Sequence, residues 1–303
     1  MLHSNSDLFR QVILRASQST GIKPAIIEKD YYVTAFLKEI VKLQPNIVFK
    51  GGTSLSKCYK LIDRFSEDID LNVETENGPT EGQRRRLKES IVAVIEGFGF
   101  ALTNSENVRS RRSYNKYIVD YPTVFDGEYL KENLIIETSV YIRAYPTNRM
   151  TASSIIYDFL LGQGYEDLIS QYDLAPFELN VQSAERTLVD KVFALGDYYL
   201  DDKITEHSRH IYDLYKLLNV VQLSDELKAL VAEVRAERSG HAACLSAQEG
   251  VDIQALLKQI VDEAAYKSDY ENITMALLFE KVDYATAIKA LTKIMESGIF
   301  VLV

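Results

Sequence analysis
The stretch that most limits what this chain can become spans residues 47–73, IVFKGGTSLSKCYKLIDRFSEDIDLNV. Residues 47–51 read as a buried strand ending in a glycine pair, where the backbone turns tightly and a ligand can approach closely. Thr53 or Ser54 then caps a helix over about 55–62, with Leu55, Cys58, Tyr59 and Ile62 on one face at helical spacing. Backbone N–H groups, two small hydroxyl residues and the positive end of a helix dipole meet at that start, which suits a phosphate. The segment SEDIDLNV reads as a returning strand. Side chains two apart on a strand share a face, so Asp68 and Asp70 project together while Ile69 and Leu71 turn into a core. Two carboxylates side by side repel each other unless a cation sits between them, and Mg2+ both fills that place and bridges to nucleotide phosphates. The fifteen residues between Gly52 and Asp68 are what a turn, a short helix and a return to the sheet require.

A Gly-Gly-Thr/Ser turn, one helix and then Asp-x-Asp on a strand resembles the nucleotidyltransferase superfamily typified by DNA polymerase beta. The fuller string GGTSLSK…RFSEDIDL, with EKDYYVTAFL upstream, is similar to one branch of it, the AbiEii/MenT-type toxins of bacterial toxin–antitoxin systems. That resemblance implies an α+β fold, with a mixed sheet flanked by helices and a mainly α-helical carboxy-terminal lobe. It implies an enzyme that transfers NMP from an NTP to an acceptor and releases pyrophosphate. Gly51, Gly52, Thr53 and Ser54 would hold the β and γ phosphates, and Asp68 and Asp70 would hold Mg2+ against the α phosphate. The acceptor it implies is the 3′ end of tRNA, whose modification stops translation and growth in abortive infection, and the partner it implies is a separately encoded antitoxin. A P-loop is excluded, since GGTSLSK lacks the spacing of G-x-x-x-x-G-K-[ST].

With 303 residues the chain can bury one large core or two medium ones, and two lobes are expected; by the family resemblance, residues 1–182 would be the nucleotidyltransferase α/β lobe with its amino-terminal helices, and residues 183–303 a helical lobe completing the active-site cleft. A hydrophobic share of 47% with 26% charged residues fits an ordinary globular protein, and no apolar run approaches the roughly 18 residues of a membrane span. MLHSNSDLFRQ lacks a secretory pattern, and a cytoplasmic location is expected. Cys58 and Cys244, far apart, suggest neither a disulfide framework nor a thiolate metal site. The net charge of −10 argues against a surface coated for nonspecific nucleic-acid binding, yet residues 1–150 carry 21 Lys and Arg against 19 Asp and Glu. Two basic clusters lie there, Arg84, Arg85, Arg86 and Lys88, then Arg109, Arg111, Arg112 and Lys116; they read equally as a phosphate-tracking surface or as a solvated face.

Residues 7–42 give two amphipathic helices parted near Gly21 and Pro24. Lys29 and Asp30 match the family's pattern there, with an expected place on the exposed turn of a supporting helix and no catalytic role. A helix over about 83–98 follows, with Leu87, Ile91, Val94 and Ile95 inward, then strands near 101–102, 114–121 and 134–142. Glu137 is an acid inside the strand-forming run LIIETSVYI, an expensive place for a charge unless it is used or paired. The superfamily resemblance implies a third carboxylate on a later strand of the same sheet, and Glu137 is the candidate; an acid on the solvent face of a strand is the competing reading. Residues 144–175 read as loop.

PFELNVQSAERTLVDKVFALGDYYL reads as a short strand, a Ser183 cap and a long helix, and SRHIYDLYKLLNVV as a further helix. TLVDKVFAL followed by RHIYDLYKL is similar to a second block of the same toxin family, and implies that Lys191 contacts the triphosphate while Asp213 orders the site or the acceptor. The plain alternatives are a surface Lys191 paired with Asp190 or Glu185, and an Asp213 paired one turn away with Arg209. His207 and His210, three apart without a third ligand, read as surface or cleft-edge residues. Residues 224–236 form another helix, residues 239–250 a linker, and helices are expected near 253–266 and 273–295, where Met275, Leu277, Leu278 and Val282 form a bundle core or a docking face.

The chemistry expected is in-line attack of an acceptor hydroxyl on the α phosphorus, with Glu137 as a candidate for taking its proton. Two rivals stand beside it: the same transfer to a protein or small-molecule acceptor, and a non-enzymatic module that binds a nucleotide or partner on a degenerate site.

Overall fold
The computed structural model describes residues 1–66, 68–75, 78–125 and 132–301. It divides into two compact units, residues 1–59 with 66–182, and residues 60–65 with 183–303.

The first unit is built on strands β1 (Ile47–Lys50), β2 (Ile69–Val73), β3 (Ala101–Leu102), β4 (Tyr114–Asp120), β5 (Leu134–Ser139), β6 (Thr147–Ala152) and β7 (Phe177–Gln182). They form one sheet in the order β3-β4-β5-β2-β1-β7-β6. At its centre β2 runs antiparallel to β1 and parallel to β5, and β1 runs parallel to β7. Ile69, Leu71 and Val73 alternate onto one face of β2 and join a core with Val33, Phe36, Leu37 and Ile40 of α2 (Pro24–Leu43) and Leu87, Ile91 and Val94 of α4 (Glu81–Gly97). Each such side chain contributes about 1.5–3 kcal/mol by leaving water. Asp70, one residue out of phase, is thereby fixed on the sheet face opposite those helices. Local signals start and stop the helices. Asn5 caps α1 (Ser6–Thr20), which ends at left-handed Gly21, Pro24 opens α2, and Thr80 with Gln83 forms a capping box on α4.

Two sequence expectations change here. The helix expected at 55–62 is α3 (Gly51–Lys57): the glycine pair forms its first turn, Lys50 is its N-cap, and neither Thr53 nor Ser54 caps it. Residues 144–175, expected as loop, hold β6, α5 (Ile155–Gly162) and α6 (Glu166–Gln171). β6 is TNRMTA, a mostly exposed polar edge strand defined by pairing with β7 rather than by alternation of its own. The nearly continuous apolar run of α5 carries no helical period, although Ser154 caps it.

The second unit contains α7 (Ala184–Leu200), capped by Ser183, α8 (Arg209–Leu217), α9 (Asp225–Ser239), α10 (Ile253–Asp262) and a last helix, Tyr284–Glu296. Residues 60–65 belong to it through a short antiparallel contact: Phe65 N–H donates to Leu277 O, Phe279 N–H donates to Asp63 O, and Arg64 bridges Leu278. That contact breaks the helix expected over 273–295, because Leu278 is extended and buried instead of lying on a continuous helical face. The expected linker at 239–250 is anchored as well, with Ser246 N–H and hydroxyl donating to Asp197 and Phe193 O.

Candidate active site
Strand register assembles the first unit's polar groups. Lys50 stands opposite Asp70, Asp70 opposite Glu137, and Glu137 opposite Lys116, a row across β1, β2, β5 and β4 on the face away from α2 and α4. Glu137, the candidate third carboxylate, is thus the immediate neighbour of Asp70, with Lys116 Nζ 3.3 Å from its carboxylate. The Tyr114 hydroxyl, on the same face of β4, hydrogen-bonds Glu137; burial, then the charges of Glu137 and Asp70, push its pKa up, so it stays protonated and donates.

Asp70 also meets the tip of α3. Gly51 has φ +77°, and a Cβ built there would stand 2.0 Å from Asp70 Oδ2, so the carboxylate occupies the space a side chain would need. Asp68 lies just before β2, half-buried, with its carbonyl accepting from the Thr53 hydroxyl at 2.6 Å. Thr53 is also within 2.9 Å of Ser66 Oγ, and the Ser54 hydroxyl donates to Gly51 O. Both hydroxyls are buried in these bonds, which brace the turn; what α3 presents outward at Gly51 and Gly52 is backbone.

No set of three acidic, His or Cys side chains among the described residues is close enough to cage a metal. Magnesium needs no such cage: it takes one or two protein carboxylates and completes its shell with phosphate and water oxygens. Asp70, an oxygen donor held against the α3 tip, fits such an ion, and Asp68 lies two residues before it.

The second unit holds the other two candidates in one buried cluster. Asp213 is fully buried and accepts from Arg64 Nε and Nη2 at 2.7 and 2.8 Å and from Lys191 Nζ at 2.6 Å. Burial would raise its carboxyl, but the two cations outweigh that and hold it well below the usual carboxylate range. Lys191 is 6% exposed, its pKa lowered first by burial and then by Arg64 and Arg209 against the pull of Asp213. Its Nζ lies 3.5 Å from His210 Nδ1, and His210 is kept neutral by burial and by Lys191 and Arg209. Lys191 is therefore not a surface lysine on Asp190 or Glu185.

Arg64 was missed as a partner, although RFSEDIDL carried it; nothing in local spacing links it to a residue 149 positions later. Lys29 and Asp30 correct another expectation. Lys29 is fully buried, and Asp30 accepts from Lys57 Nζ at 2.5 Å and from Ile155 N–H, tying α2 to the far end of α3. Arg84, Arg85 and Arg86 lie on α4, whose apolar side covers the opposite sheet face from Asp70, with Arg85 near Glu89 and Arg111 paired to Glu81, which favours the solvated-face reading.

The family model for the AbiEii nucleotidyl transferase toxin of type IV toxin–antitoxin systems matches residues 35–293. The chain belongs to that family. It is a nucleotidyltransferase toxin, and family membership brings with it an NTP substrate and an antitoxin partner. The toxin's fold is also similar to that of the nucleotidyltransferase toxin MenT4 of Mycobacterium tuberculosis H37Rv, at TM-score 0.56 and 15% identity over 97% of this chain and 90% of that one. No curated protein matches the toxin's sequence. Nucleotidyltransferases of this kind generally need a divalent metal. No helix among the described residues is long and apolar enough to cross a membrane.

Proposed function
We propose that this toxin transfers NMP from an NTP to the 3′ end of tRNA, with Mg2+, and so blocks translation in the cytoplasm. The observation that carries the reading is the Asp70 carboxylate lying over Gly51 at the α3 tip, in register with Glu137. The backbone at Gly51 and Gly52 receives the β and γ phosphates, with Thr53 and Ser54 bracing the turn. Asp68 and Asp70 would hold the metal, which when bound would supply positive charge to offset that of the phosphates. Within the second unit, Lys191 carries a compact positive charge of the kind that takes a phosphate, and Asp213 orients it. The acceptor hydroxyl oxygen bonds to the α phosphorus while the bond from that phosphorus to the β-bridging oxygen breaks. Its proton passes to Glu137, and pyrophosphate leaves.

The test is incubation of the full chain with each labelled NTP in turn, with total RNA and total protein present, with and without added Mg2+. Label in the RNA fraction, lost when Mg2+ is withheld, is expected. Label in the protein fraction alone would replace the acceptor, and no label anywhere would remove the tRNA reading.

A further inference from the structure
A cavity of about 450 Å3 opens on the first unit, walled by Val48, Glu74, Thr75, Arg143, Tyr145 and Thr147. Its place follows from register. Val48 stands opposite Asn72, and Asp70, Asn72 and Glu74 alternate onto the same face, Glu74 extending the ladder through its N–H to Asn46 O. The cavity therefore shares the sheet face of Asp70, four residues further along β2 and beyond, or roughly 13 Å at about 3.3 Å per residue.

Direction along β2 distinguishes the two nucleotides of the reaction. Phosphoryl transfer sets the attacking and leaving oxygens roughly in line. If pyrophosphate departs at the α3 tip, beside Lys50 and Gly51, the acceptor comes from the opposite side, which along β2 is toward Asn72 and Glu74. The walls suit a nucleobase. Tyr145 is 58% exposed and offers a ring face, Arg143 a planar guanidinium, and Glu74 a carboxylate pinned by Thr147 Oγ1 at 2.9 Å and Asn180 Nδ2 at 3.2 Å. The Thr75 hydroxyl oxygen is buried with no hydrogen-bond partner among the described residues, a group that calls for one.

We propose that this cavity is an acceptor pocket: it receives one nucleobase of a single-stranded RNA end, stacked on Tyr145, with Glu74 accepting from an exocyclic amino group. This rests on the nucleotidyl-transfer reading for its orientation, but its binding test needs no transfer. Fluorescence anisotropy of a fluorescein-labelled tetraribonucleotide with a free 3′ hydroxyl, titrated with the full chain without NTP, reads the pocket directly. Tyr145→Ala should weaken binding about five-fold or more, since stacking contributes about 1–3 kcal/mol per base, while Tyr145→Phe stays within about two-fold and NTP affinity is unchanged. Equal binding by Tyr145→Ala, no binding by the wild type, or a loss confined to NTP affinity each overturns the proposal. Transfer to RNA that Tyr145→Ala leaves unchanged removes the pocket and keeps the chemistry; Tyr145-dependent RNA binding without any transfer keeps the pocket and removes the chemistry.

Discussion

At the scale of single residues, the contact of Asp70 with Gly51 dictates the tightest constraint. Any side chain at position 51 meets the carboxylate and also a left-handed backbone, which costs an L-residue about 1–2 kcal/mol. Gly51→Ala is expected to lower the melting temperature modestly and transfer activity by at least about 100-fold, because relief of the clash moves Asp70 from the α3 tip; a thermal melt beside the labelling assay checks both. Asp70→Asn and Asp68→Asn are expected to abolish transfer with the melting temperature nearly unchanged. Retained activity in both variants would contradict the metal-carboxylate role.

At the scale of elements, Asp213 joins α8, α7 and residues 60–65 through one buried carboxylate. Asp213→Asn leaves Arg64 and Lys191 without their anion and is expected to destabilise by about 3–5 kcal/mol, measured by urea unfolding. Because its folded pKa lies below the unfolded value, the stability Asp213 contributes is complete above the ordinary carboxylate pKa of 3.8 and is lost as the pH falls below it. A pH series of melts should show that acid loss in the wild type and a smaller one in Asp213→Asn. The elements legible in the sequence were those with a period or a cap of their own: α1, α2 and α4, the central strands, and α7 with Ser183. Glu137 on a strand of the same sheet as Asp70 was legible from the strand-forming run LIIETSVYI, with an acid on a solvent face as the competing reading; that the two strands are neighbours was not. What was not legible arises from long-range pairing. β6 exists because β7 lies beside it, Leu278 is extended because Arg64 bridges it, and the α3 start moved because Gly51 folds into the helix against Asp70.

At the scale of the whole molecule, the second unit is discontinuous in the chain. Residues 183–303 made alone lack Arg64 and the backbone partners of Leu277 and Phe279. Such a fragment is expected to lose its cooperative transition in far-UV circular dichroism at temperatures where the full chain remains folded; a sharp melt at the full-chain temperature would show that residues 60–65 are dispensable.

That discontinuity bears on how a cell can manufacture a poison. Arg64 and Asp213 are 149 positions apart, so at a ribosome's pace of about 5–20 residues per second the arginine waits roughly 7–30 seconds for its carboxylate. A nascent polypeptide that ends before residue 213 carries Arg64 and Lys191 without the carboxylate that gathers them.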